Sequence, residues 1–157
     1  MPSTAEQRLT ELGLSLPVIP EPTANYVPFR VDEGLVFLAG QTNDVQHKPH
    51  KTGKVPTDHS PEVGQEAARI CALNLLAALK LACGGDLDRV KSCLSVRGFV
   101  NAAPDFDRVP YVINGASDLF VAVFGEAGRH ARTAVGVATL PRQALVEVDA
   151  VFRIRMP

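Results

Sequence analysis

The chain has 157 residues, 46% hydrophobic and 21% charged, with a formal net charge of -1. One domain of that length can bury about two-thirds of its unfolded surface, and its balanced charge gives no general attraction to nucleic acid or to an anionic membrane. No apolar run approaches the ~20 residues of a membrane helix, and no basic-then-apolar leader opens the chain, so a single domain over 1–157 in the cytoplasm is expected.

Met1 to Gly13 reads as a short helix. Ser3 and Glu6 have capping-box spacing, Leu9 and Leu12 mark an apolar side, and Gly13 stops it. Pro17, Pro20 and Pro22 exclude regular structure from the next stretch. Residues 1–25 are thus a helix followed by a proline-rich arm. Tyr26 to Val31 and Leu35 to Ala39 form two predicted strands around the turn Asp32-Glu33-Gly34, with Gly40-Gln41 closing the second. Thr42 to His59 is a long polar loop holding His47, His50 and His59 beside lysines and Asp58. With no further ligand at fixed spacing, it is read as solvated rather than as a metal site. Ser60-Pro61-Glu62 is a cap, a first-position proline and a first-turn acid. The apolar spacing from Ala67 to Leu81 carries that helix to Cys83, and Gly84-Gly85 ends it. Val90 to Val100 is a predicted strand, and Asp105 to Phe124 a second long helix with Pro110 in its first turn. Cys71, Cys83 and Cys93 have no CxxC spacing and no even count, so they are read as reduced packing residues.

His130 to Asp149 reads as two strands joined by the short turn Leu140-Pro141-Arg142-Gln143, the second continuing to Arg155. Alternation gives Thr133, Val135 and Val137 one face, expected to meet the core, and Arg132, Ala134 and Gly136 the other. If the two strands pair with an even number of residues between the paired positions, Arg132 and Glu147 fall on one side of the sheet. A guanidinium can take a carboxylate through two charge-assisted hydrogen bonds, and the small neighbours leave room for a ligand. Glu147 is a candidate acid or base. Tyr26 is a candidate donor at the edge of a site. Asn114, a poor helix former inside a predicted helix, is a candidate carboxamide aimed at a ligand. Each also has an ordinary reading: a salt bridge, a solvated strand acid, a packing tyrosine, an inter-helix hydrogen bond. The element order specifies an α+β protein, a sheet with helices on one face. Val27, Phe29 and Leu35 suggest that the other face is partly apolar and covered by another subunit.

The run H-A-R-T-A-V-G-V-A-T-L-P-R-Q-A-L-V-E-V-D resembles the signature of the reactive-intermediate deaminase family, RidA/YjgF, roughly A-R-S-x-V-x-V-x-x-L-P-x-x-A-x-V-E-I-E. Tyr26 followed by L-V-F-L-A-G-Q (Leu35 to Gln41) is similar to that family's first strand pair. The resemblance covers Tyr26 to Ile154 and marks a divergent subgroup. It implies a chorismate-mutase-like mixed β-sheet with two main helices on one face, and a homotrimer with clefts between subunits. The implied activity is hydrolysis of enamine and imine intermediates to 2-keto acids and ammonia, with no metal and no organic cofactor. By matched position, Arg132 resembles the residue that grips the substrate carboxylate and Glu147 the one that holds the attacking water. Tyr26, Asn114 and Gly40 match further cleft positions. Ala39 and Ala134 stand where the deaminases often carry serine and cysteine, which implies a roomier, less polar cleft. Two alternatives accompany the deaminase expectation: a binding protein that senses a small carboxylate without turning it over, and an endoribonuclease.

Overall fold

The computed structural model describes residues 2–157. Helix α1 spans Ala5–Glu11. Thr4, one residue later than expected, caps it, and the reciprocal partner is Gln7. Gly13 adopts φ +67° just beyond, as a helix stop requires. Met1, the first residue of the expected helix, lies outside the described residues. Strands β1 (Phe29–Asp32) and β2 (Leu35–Thr42) form the first hairpin. Its turn places Glu33 at φ +48° and Gly34 at φ +82°, the left-handed pair of a tight hairpin turn.

The following loop is more ordered than its polarity suggests. It contains a small hairpin, β3 (Asp44–Val45) with β4 (Lys48–Pro49). The buried Asn43 side chain donates to the carbonyls of His50 and Lys51 and accepts from the backbone N–H of Leu145 and Val146. Lys54 donates to Asn101 Oδ1 at 2.7 Å and to the Ala138 carbonyl. His59 Nε2 lies 3.0 Å from the Thr52 carbonyl oxygen, while His47 and His50 are exposed. Among the described residues, no three His, Cys, Asp or Glu side chains converge as a metal site would require.

Helix α2 spans Pro61–Ala82, capped by Ser60, whose hydroxyl accepts from the Val63 N–H. Strand β5 spans Val90–Asn101, helix α3 Val109–Phe124, strand β6 Ala131–Val137 and strand β7 Val146–Ile154. Helix α3 begins four residues later than expected, with Pro110 in its first turn. The main sheet runs β1-β2-β7-β5-β6, antiparallel except for β5 beside β6. Helix α2 lies over β2 and β7, and α3 over β5 and β6. Their approach depends on Gly115, where a Cβ would lie 2.0 Å from the Gln65 carbonyl oxygen. The fold is therefore α+β: a mixed sheet with its helices on one side. Among the described residues, no helix is long and apolar enough to cross a membrane. All three cysteines are buried and unpaired; burial pushes Cys83 up to about 11 and Cys93 up to about 12, and raises Cys71.

Three expectations need correction. First, β6 and β7 do not form a hairpin, because β5 lies between them. Second, the faces of β6 are the reverse of those expected. Val96, Gly98 and Val100 are buried on the helix side, and they pair with Arg132, Ala134 and Gly136. Thr133 and Val135 thus look out from the open face, and Val135 is 41% exposed. Third, Phe29 pairs with Leu38 and packs towards the core rather than the open face. The open face is still partly apolar, because Phe37 stands there 48% exposed. Beside it Asp149 accepts a two-point ion pair from Arg97, with contacts of 2.9 and 2.6 Å.

Candidate functional site

The seven residues singled out from the sequence fall into two groups. Tyr26, Ala39, Gly40 and Glu147 line one cleft of about 480 Å³ on the open-face side. The cleft owes its shape to a bulge. Leu38 pairs with Ala150 and Gln41 with Val148, so Ala39 and Gly40 together face Asp149 alone. The bulge brings Gly40 under Glu147, where a Cβ would sit 3.3 Å from the carboxylate carbon. Glycine at 40 is thus what gives the glutamate its space. The proline-rich arm forms another wall through Ile19, Pro20 and Pro22. Proline suits that role because it offers no N–H to pair with the sheet.

Glu147 is half-buried. Burial holds its pKa above the usual carboxylate range, with the neighbouring Asp149 charge adding to the effect. It is therefore easier to protonate than a surface glutamate. The rim of the same cleft carries a pair absent from the sequence-based candidates. Arg142 Nη2 donates to Asp44 Oδ2 at 2.6 Å, and Nη1 to the His47 carbonyl at 3.0 Å. Arg142 holds φ +53° to make these contacts. Its sequence signal was slight, since a turn arginine is ordinarily solvated.

Arg132 and Asn114 form the second group. Arg132 Nη1 donates to Asn114 Oδ1 at 2.8 Å and to Ser117 Oγ at 3.3 Å. Strand β6 and helix α3 supply the two sides of this contact. Ala134, two residues along β6, faces the same way and packs against the core. Ser117 reaches His130 Nε2 at 2.9 Å. Ser117 carries no nucleophile signature in the sequence. The available signal was spacing, as His130 and Arg132 are two residues apart.

The two groups stay apart within one chain. Arg132 pairs with Val96, which pairs with Ala150, whereas Glu147 pairs with Phe99. Two strand spacings across and three residues along put the backbones roughly 14 Å apart, with the side chains on opposite faces. The expected shared sheet face for Arg132 and Glu147 is thereby overturned for a single chain.

Comparison with known proteins places this arrangement. Residues 6–153 match the family described as "YjgF/chorismate mutase-like, putative endoribonuclease". Protein TCP17 of Trypanosoma cruzi is 44% identical over 147 residues, covering 93% of this chain and 91% of that protein. A crystal structure of an Agrobacterium tumefaciens protein of unknown function is 45% identical, with a TM-score of 0.89 over 96% of this chain and 92% of that one. The structure of Escherichia coli TdcF with bound serine shares the fold, with a TM-score of 0.58 at 22% identity over 88% of this chain and 94% of that one. With the mixed sheet, the helix-covered face and a family match over nearly its whole length, the chain belongs to the YjgF/L-PSP (RidA) family.

Proposed function

We propose that this protein hydrolyses 2-imino and enamino acids to 2-keto acids and ammonia, in clefts completed by two neighbouring copies of the chain in a homotrimer. The observation that carries the reading is the division just described. One half has an exposed arginine held by Asn114 and Ser117, the other an easily protonated carboxylate in a cleft, and a single chain cannot present both to one small molecule. Cyclic symmetry joins two different patches of identical subunits, and the partly apolar open face is suited to burial between copies. TdcF holds serine, a small carboxylate, which agrees in substrate class.

In this reading Arg132 of one subunit grips the substrate carboxylate. Glu147 of the next accepts a proton from water as the oxygen attacks the iminium carbon. The resulting amino alcohol takes that proton back on nitrogen. The C–N bond then breaks, ammonia leaves, and the hydroxyl gives its proton to Glu147, ionised again, which passes it to ammonia, leaving the keto acid and ammonium. An enamine enters the same route after protonation at its β-carbon. A carboxyl whose pKa is raised by burial suits both proton transfers near neutral pH. Tyr26 and Asn114 orient the substrate. Gly40 gives Glu147 its space, and Ala39 and Ala134 leave room beside the reacting carbon. No metal or organic cofactor takes part, and residues 1–157 act as one domain, with the proline-rich arm from Ile19 to Thr23 running along the cleft.

The test generates 2-aminoacrylate from serine with a lyase and follows pyruvate formation. Wild type accelerates hydrolysis, and Arg132→Ala lowers kcat/KM about 100-fold, as loss of a charge-assisted two-point contact implies. No acceleration by wild type overturns the enzymatic reading. Stabilisation by 2-keto acids without turnover would assign the same cleft to a binding protein. The endoribonuclease activity in the family's description finds little support in a net charge of -1.

A further inference from the structure

Arg132 lies on an edge strand, and its side chain is exposed. A long side chain so placed ordinarily samples many rotamers, and a ligand that fixes it must offset the lost freedom. Here one nitrogen is already held twice. Nη1 donates to Asn114 Oδ1 at 2.8 Å and to Ser117 Oγ at 3.3 Å. Nε and Nη2 donate to no described residue. What remains is the side-on edge of the guanidinium, Nε–H beside Nη2–H, which matches the two oxygens of a carboxylate.

The hold on Nη1 has a supporting chain behind it. His130 Nδ1 lies 2.7 Å from the Gly128 carbonyl oxygen, and Nε2 lies 2.9 Å from Ser117 Oγ. A carbonyl can only accept, so Nδ1 carries the hydrogen. In a neutral imidazole Nε2 must then accept, and Ser117 donates its hydroxyl hydrogen to it. That turns the lone pairs of Ser117 Oγ towards Arg132. The bonds run in one consistent direction, Arg132 to Ser117 to His130 to the backbone of Gly128. The far end is fixed by packing, since a Cβ at Gly128 would lie 2.3 Å from the Phe120 carbonyl oxygen. The imidazole also meets the Phe120 ring edge-on, with centroids 6.1 Å apart. Its half-burial, then the nearby Arg132 charge, keep its pKa below the ordinary histidine range and so favour the neutral form.

We propose that Ser117 and His130 are positioning residues, which lock Nη1 of Arg132 so that its Nε–Nη2 edge is presented ready-made to the substrate carboxylate. The inference rests on the reading of Arg132 as the carboxylate anchor, and it adds what holds that anchor still.

The test compares wild type with Ser117→Ala, Ser117→Thr, His130→Phe and the Ser117→Ala/His130→Phe double variant, as full chains. Two quantities are read: KM and kcat with 2-aminoacrylate, and Kd for pyruvate as a probe. Ser117→Ala and His130→Phe each raise KM and Kd about 5–10-fold, with kcat within about 2-fold, because the lost bond serves binding. Ser117→Thr, which keeps the hydroxyl, returns both to within about 2-fold. The double variant is no worse than the poorer single one, as expected for members of one chain of bonds. Ser117→Ala removes a single oxygen atom, so it keeps the test decisive even if His130→Phe does not fold. Unchanged KM and Kd in Ser117→Ala, beside lost binding in Arg132→Ala, overturn the positioning role and leave the anchor standing. Unchanged pyruvate binding in Arg132→Ala overturns the anchor reading itself, and the positioning role with it.

Discussion

The cleft around Glu147 and the edge around Arg132 are built by opposite means. Glu147 sits on β7, in the middle of the sheet, between buried Val146 and Val148. Strand register fixes its place, a bulge gives it space, and burial raises its pKa. Arg132 sits on the outermost strand, and side-chain hydrogen bonds from α3 hold it. Burial tunes a titrating group but would penalise a permanent charge. A group that must exchange protons gains from the interior, and one that must stay charged gains from the rim.

The largest effect expected comes from mixing subunits. Arg132→Ala and Glu147→Gln each lose most activity alone. Co-assembled in equal amounts, they form intact clefts at about one quarter of the interfaces, if each cleft draws its two residues from different subunits of a ring. Recovery near that level from two inactive proteins supports shared clefts, and no recovery after verified subunit exchange rejects them. Next comes Gly115→Ala. The added methyl must displace backbone between α2 and α3, so urea unfolding should show a loss of about 3 kcal/mol, the upper range for overpacking.

Glu147→Gln should stabilise the fold as it lowers activity. The folded pKa of Glu147 is raised, so its favourable contribution is complete below its ordinary value of 4.5 and is lost as pH rises through the folded value. At pH 7 the ionised glutamate is therefore a burden, and glutamine should raise Tm by about 2–4 °C. The gain should vanish below pH 4.5; a gain that persists there would point away from titration as its cause. The last comparison is Asn114→Ala. Asn114→Ala removes the shorter of the two bonds on Nη1 and Ser117 keeps the other, so pyruvate Kd should rise about 5–10-fold, as in Ser117→Ala.

Much of the fold is legible from residue pattern. Ser60-Pro61 and the period of α2 mark that helix closely, and Gly34 marks the first turn. The partner of β6 is not legible. Only eight residues separate β6 from β7, which suits a hairpin, yet β6 pairs in parallel with β5 across α3. Alternation along β6 gives two faces but not which one meets the helices, because Thr133 and Val135 would suit either an internal core or a face covered by another copy. Gly40 stood out only through family resemblance, and Tyr26 otherwise only as a candidate donor at the edge of a site. Their proximity to Glu147 depends on a bulge that local sequence does not announce. Ser117 was hidden for a different reason: a serine that orients an arginine needs no nucleophile motif.

The order of the strands also bears on how the molecule forms. Everything that holds Arg132, from β5 through α3 to β6, lies within residues 90–137 and can associate through short chain closures. The Glu147 cleft instead requires β2 to meet β7, over a hundred residues later in the sequence. Strand β7 enters between two strands made long before it, and it is the last element of the chain. Contacts of such high sequence separation are the slow ones. On a ribosome, the Arg132 side would form while the chain is still emerging, and the Glu147 cleft only once β7 is free to insert.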